Sequence, residues 1–411
     1  MSAFRALRHN PQYLLLAMAF VMPLTFSVWN ALLNNFVIEK AQFGGAEIGI
    51  LQSLREVPGF LAFTAVFVLL VIKEQHFALI SLALMSVGVA ITGWFPFEIG
   101  LYCTTVLMSI GFHYFETVNQ SLTLQWLSKE DSAHFMGKQL AVKGFASLLA
   151  YALIWILMEG LAISYNTVYM LAGGAGLIIC VLLWAVFPQF KQPSTQHKQL
   201  LMRKRYWLYY CLTFFSGARR QIFVVFAAFM MVEKFGYSVG DISLLFMINY
   251  VFNLLFAPAI GKWISRIGER NALVIEYVGL AMLFSGYAIV ENAILAGALF
   301  VIDHLFFAMA IAMKTYLQKI ADPRDIASTS GVSFTINHIA AVIIPALLGM
   351  VWLTSPALVF MIGTGFTLCS LVLALNIPRI PMPGAEVSCN LFGWANTPGL
   401  VLNPTEVQIS K

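Results

Sequence analysis

Along the chain, long apolar runs alternate with short polar breaks. Twelve such runs stand at 12–38, 46–72, 76–95, 98–126, 136–158, 161–187, 206–232, 240–264, 271–289, 292–318, 326–352 and 356–376. A helix that crosses a bilayer needs about 20 mostly apolar residues. Backbone exposed to lipid must satisfy its own hydrogen bonds, which forces these runs into helices. The pattern predicts an all-α polytopic membrane protein with 12 transmembrane helices joined by short loops.

Composition agrees. Of 411 residues, 60% are hydrophobic and 10% charged, with a mean hydropathy of +0.82. A soluble domain carries about 25% charged residues. The placement of the 24 Lys and Arg sets the expected orientation. With a cytoplasmic N-terminus, 17 fall in tails and cytoplasmic loops, two in outside loops (Lys40, Lys234) and five within spans. Basic residues gather on the cytoplasmic side of membrane proteins, so both termini are expected there. The net charge of +5 follows from this bias and implies no nucleic-acid partner. The opening MSAFRALRHN leads into a run too long for a signal peptide. Cys103, Cys180, Cys211 and Cys369 lie within spans and Cys389 in the tail, which makes no disulfide framework. The sequon at Asn119 falls inside the fourth span. Short loops fit a multi-pass protein of a bacterial inner membrane, surrounded by lipid and expected to be a monomer.

The chain repeats itself. FVIEKAQFGGAEIGIL (36–51) aligns without gaps on MMVEKFGYSVGDISLL (230–245), placing Glu39-Lys40 on Glu233-Lys234 and Glu47 on Asp241. LQWLSKEDSAHFMG (124–137) answers LQKIADPRDIASTSG (317–331) at nearly the same offset. Two echoes at equivalent helix junctions predict two parallel six-helix bundles, since an even number of spans separates them. The expected divisions are 1–190 for the first bundle, 191–205 for a basic cytoplasmic connector, 206–377 for the second bundle and 378–411 for a tail. The tail is rich in Pro, Gly, Asn and Ser and reads as disordered.

The stretch GKWISRIGER (261–270) resembles the signature loop of the major facilitator superfamily, G-x-x-x-D-R/K-x-G-R-R. Gly261, Arg266, Gly268 and Arg270 match. Ser265 replaces the acidic position and Glu269 a basic one. The resemblance covers 12–376. It implies a secondary transporter that rocks two bundles about a central site, with spans one, four, seven and ten around a central cavity. It also implies that Arg266 and Arg270 hold a cytoplasmic gate. The first half keeps little of this loop beyond Lys73. The fifth span, GKQLAVKGFASLLAY, lacks the proline of the drug-antiporter motif.

Charges at membrane depth are costly and face a cavity, a partner or a ligand. Five basic groups lie within spans (Arg55, Lys143, Arg219, Arg220, Lys314) against four acidic ones (Glu56, Glu116, Glu276, Asp303). His113, Glu116 and Gln120 share one helix face at steps of three and four. Asn249 in the eighth span and Ser333 and Asn337 in the eleventh add polar positions. Substrate binding is assigned to Arg219, Arg220, Arg55, Lys143, Gln120 and Asn337, and proton coupling to Glu116, Asp303 and His113. The blander alternatives are structural pairing between helices for Arg55–Glu56, snorkelling for Lys143 and Lys314, and ordinary packing for the histidines and asparagines. Adjacent arginines in SGARRQIF (216–223) point about 100° apart on a helix, so one can face the cavity while the other reaches a neighbour.

No metal-spaced His/Cys cluster, phosphate loop or cofactor motif appears in the sequence. The expectation is therefore no enzyme, no cofactor and no metal. The favoured function is secondary active transport of a small organic anion, coupled to protons. The alternatives are efflux of lipophilic or cationic compounds, and a non-transporting membrane sensor or polytopic enzyme.

Overall fold

The computed structural model describes residues 8–69, 71–127, 129–190, 202–322, 326–391 and 393. The described residues form twelve helical rods. The first six are α1 (Pro11–Ala41), α2 (Gly45–Phe60, then the 3-10 turn Leu61–Thr64 and Ala65–Val68), α3 (Glu74–Thr92), α4 (Glu98–Trp126), α5 (Lys129–Trp155, then the π turn Ile156–Gly160) and α6 (Tyr165–Val186). The second six are α7 (Trp207–Gln221, the π turn Ile222–Ala227, Ala228–Glu233), α8 (Val239–Ile267), α9 (Glu269–Ile289), α10 (Ala293–Phe307, Ala308–Ala310, Ile311–Ile320), α11 (Ile326–Trp352) and α12 (Pro356–Leu375). Nine rods contain a window long and apolar enough to cross a membrane. The other three are α2, α4 and α8. The first is broken by its 3-10 turn and carries Arg55-Glu56, the second carries His113, Glu116 and Gln120, and in the third the apolar stretch within the described residues is Val239–Phe252.

The sequence repeat has a local cause. Glu47 at the start of α2 accepts a bond from the Gly44 amide at 2.9 Å, and Asp241 at the start of α8 accepts one from the Ser238 amide at 2.9 Å. Each acid satisfies a donor that a helix start leaves without a partner. The other repeated acid ends the first helix of each half and meets an aromatic donor of its own half. Glu39 accepts from the Tyr165 hydroxyl at 3.0 Å, and Glu233 from the Trp352 indole at 2.8 Å. The conserved spacing therefore marks helix ends and their anchors.

The halves meet tightly at the end of the bundle remote from the termini. A Cβ on Gly49 would lie 2.3 Å from the Pro345 carbonyl oxygen and 3.0 Å from the Gly349 Cα, so α2 and α11 touch backbone to backbone there. Small residues permit such approach between membrane helices. Around this crossing, Asn35 donates to the Tyr237 carbonyl (2.8 Å), the Gly240 amide to Glu159 (3.0 Å) and the Ala346 amide to the Ser53 hydroxyl (2.9 Å). Tyr151 of α5 stacks on Phe246 of α8 at 5.2 Å between ring centroids.

Residues 378–391 depart from the expectation of a disordered tail. Asn376 exchanges two side-chain bonds with the Cys389 backbone, and the Tyr316 hydroxyl donates to the Glu386 carbonyl at 2.6 Å. Polar composition misleads here because the segment takes its order from the end of the second bundle. Residues 394–411, and 191–201 of the basic connector, lie outside the described residues.

Candidate functional site

A cavity of ≈ 1000 Å³ lies between the halves. It reaches from mid-depth toward the end carrying the termini, along Gln120, Thr123, Gln139 and Lys314. All nine charged residues that the sequence places within spans line it. Gln120, His113 and Asn337 line it too, so every residue assigned to substrate or proton borders one space. Phe26, Phe112, Phe223, Tyr250 and Phe334 add aromatic surface.

The charges are not equivalent. Arg55 forks onto Glu56, with Nη2 2.5 Å and Nε 3.2 Å from Oε1. These neighbours in sequence pair with each other, not between helices. Lys143 meets Glu116 at 2.7 Å, joining α5 to α4 inside the first half. That contact ties a residue assigned to substrate to one assigned to protons. Arg219 is buried, places Nη2 3.4 Å from Glu276 Oε1 and lays its guanidinium 4.3 Å from the centre of the Tyr277 ring. A cation over an aromatic face is attracted by the ring quadrupole.

Arg220 differs from its neighbour. It is exposed to the cavity and, among the described residues, makes no hydrogen bond or ion pair. The helix geometry separates the two side chains, and the following π turn, Ile222–Ala227, re-phases α7 immediately beyond them. Gly217, just before the pair, makes room for a neighbouring helix. A Cβ there would come 3.1 Å from Asn337 Oδ1 and 3.2 Å from its carbonyl, so the glycine admits α11.

Asp303 is buried on α10, and its Oδ2 has no hydrogen-bond partner among the described residues. Arg219 and Glu276 are charged neighbours. On the opposite wall, Glu56 faces two histidines, His113 of α4 and His338 of α11. His338 escaped the sequence reading. Its neighbour Asn337 was visible through the i, i+4 pair with Ser333, whereas a lone histidine carries no spacing signal.

The signature stretch divides between elements. Gly261 and Arg266 lie in the last turns of α8, Gly268 caps that helix at φ 82°, and Arg270 starts α9. Only glycine adopts such a φ without strain. Among the described residues neither Arg266 nor Arg270 forms an ion pair. Glu269, the departure from the motif, is buried and meets Lys319 of α10 at 2.7 Å.

The profile of the Major Facilitator Superfamily matches residues 14–345. No curated protein sequence matches the chain. Solved structures of similar fold include a variant of the nucleoside transporter NupG, with a TM-score of 0.74 at 16% identity, covering 89% of this chain and 99% of that one. A bacterial homologue of the human lysosomal transporter Spinster, inward-facing and occupied, has a TM-score of 0.66 at 14% identity over 89% and 95% of the two chains. A POT family transporter in complex with 5-aminolevulinic acid has a TM-score of 0.68 at 13% identity over 89% and 94%. With the family profile spanning most of the chain and the fold shared over 89% of it, this protein belongs to the Major Facilitator Superfamily of membrane transporters.

Proposed function

We propose that the chain is a secondary active transporter of a small organic anion, coupled to protons, which works by alternating access around the cavity. The observation that carries this reading is the division of labour in α7. Arg219 is held by Glu276 and Tyr277, while Arg220 offers its guanidinium to the cavity. A guanidinium in a membrane interior is costly, about 2.5–3.5 kcal/mol at a helix centre, unless water, a partner or a ligand meets it. Its planar donors grip a carboxylate or phosphate in two places. The 5-aminolevulinic acid bound by one structural neighbour carries a carboxylate together with an amine.

In this scheme Arg220 is the anion contact. Gln120 and Asn337 supply neutral hydrogen bonds, and Arg55, Lys143 and Arg219 hold the local fields through their carboxylate partners. Asp303 serves as the proton site. A proton there would relieve an oxygen that otherwise lacks a donor. Glu116 is the lesser candidate because Lys143 already occupies it. Arg266 and Arg270 belong to the gate that closes the termini-side end in the opposite state. The protein would sit in an inner membrane with both ends cytoplasmic, so the present cavity opens inward.

The test is a thermal-shift screen of small organic anions, cations and uncharged lipids on the purified protein, followed by counterflow of any hit in proteoliposomes. A ligand that binds the folded state raises its apparent stability. An anion hit that Arg220→Ala abolishes supports the reading. A panel that yields only cations or uncharged lipids contradicts it.

A further inference from the structure

We propose that Glu56, His113 and His338 form a binding site for one transition-metal ion of the Zn²⁺ class, shared between the two halves. It goes beyond the transport reading and does not depend on it. The Nε2 atoms of His113 and His338 lie 3.9 Å and 3.7 Å from Glu56 Oε2, and the three ligand atoms fall within 4.8 Å of one another. Glu56 is 9% exposed, His113 7% and His338 9%.

Hydrogen bonding settles which nitrogens are available. His113 Nδ1 lies 3.1 Å from the Ser109 carbonyl, and His338 Nδ1 lies 2.9 Å from the Phe334 carbonyl. A carbonyl oxygen only accepts, so each Nδ1 carries the proton and each Nε2 presents a lone pair. The Ser109 hydroxyl, whose proton goes to the Arg55 carbonyl, also sits 3.0 Å from His113 Nδ1 and fits the same tautomer. Metal-ligating histidines are oriented in this way, with the second ring nitrogen donating to a carbonyl or carboxylate. Arg55 occupies only Oε1 of Glu56, and among the described residues Oε2 accepts no hydrogen bond.

Space has been left for the rings. A Cβ on Gly59 would lie 2.4 Å from His338 Nε2 and 2.6 Å from His113 Nε2, so only glycine lets both imidazoles approach the carboxylate. Around a tetrahedral Zn²⁺ at about 2.1 Å from each ligand, donor atoms sit about 3.4 Å apart, which asks the two carboxylate–imidazole pairs to close by about 0.3–0.5 Å and the two imidazole nitrogens, within 4.8 Å of each other, by up to about 1.4 Å. The fourth position would face the cavity. Arg55 and Arg220 are the nearby cations, and they oppose an ion held by charge alone. Two imidazole nitrogens select Zn²⁺ over Mg²⁺, which demands oxygen ligands. Because Glu56 and His113 belong to the first half and His338 to the second, a bound ion would hold α2, α4 and α11 together in the present conformation.

The experiment is calorimetric titration of the purified full chain with Zn²⁺, repeated with His113→Gln, His338→Gln and, as a control, His76→Gln. One site should appear in the parent and in the control, weakened at least about tenfold in each of the other variants. Equal Zn²⁺ affinity in parent and variants would overturn the proposal. Should those variants fail to fold, Co²⁺ bound to the parent decides the matter. The visible bands of a four- or five-coordinate nitrogen-containing site support it, and a spectrum of hexa-aquo type overturns it. Saturating Zn²⁺ should also reduce thiol labelling, from the end remote from the termini, of Asn30→Cys, a position of α1 that lines the cavity, and increased labelling would refute the sharing between halves.

Discussion

The two ends of the bundle solve the same packing problem differently. At the remote end, bonds cross from one half to the other, as from Asn35 to Tyr237, from Gly240 to Glu159 and from Ala346 to Ser53. At the end carrying the termini, three polar pairs among the described residues each stay within one half. Gln125 and Glu74 pair in the first (2.8 Å), as do Gln75 and the Pro188 carbonyl (3.0 Å). Lys319 and Glu269 pair in the second (2.7 Å). An end knit across the halves is closed, and an end whose halves are self-sufficient is free to part. Under the proposed alternating access, the cycle must exchange these roles, and the cost of parting the remote end sets the balance between states.

The largest expected effect comes from Trp352, which packs against Gly45 across the halves, stacks 5.3 Å from Phe226 and donates to Glu233. Trp352→Ala should cost about 3–5 kcal/mol, as loss of a buried aromatic does, and lower the melting temperature of the purified protein. An unchanged melting temperature would remove Trp352 from the closure. Gly49→Val comes next. Its side chain would strike the Pro345 carbonyl, which is backbone and cannot swing away. Overpacking costs about 1–3 kcal/mol, so labelling of Asn30→Cys from the remote end should rise about fivefold or more. Asn35→Ala removes one bond between the halves, for about 1 kcal/mol, and a smaller rise in the same labelling is expected. Glu269→Gln is the contrast. Its partner Lys319 lies in the same half, so labelling at the remote end should stay at the parent level. A rise there would show that the Glu269–Lys319 pair contributes to the balance between states.

Much of the fold was legible before the structure. A membrane imposes helices of known length, so apolar runs alone give twelve rods, and the duplicated acids mark equivalent junctions. The interruptions were less visible. Neither π turn has a sequence signal, since backbone re-phasing depends on the packing around it. The tail through Cys389 was misread because composition does not register a docking surface supplied by other helices. Within the cavity, the expense of charge in a membrane drew attention to the right residue types. Their pairing was partly hidden, because Arg219 and Arg220 are identical in sequence and separated only by the direction each takes from α7. Glu276 and His338 come from distant spans, and no local spacing links them to their partners.

The central claim is that Arg220 receives an anion while Arg219 holds the wall. Ligand affinity across four variants tests it most directly, with the anion found by thermal shift as the probe. Arg220→Lys and Arg220→Ala should both bind it at least about tenfold more weakly than the parent, because an ammonium cannot reproduce the two-point grip of a guanidinium. Arg219→Lys should retain more affinity than Arg220→Lys, and Arg219→Ala should lose stability by stranding Glu276 in a buried site. Parent-like affinity in both Arg220 variants, with normal folding, would contradict the account.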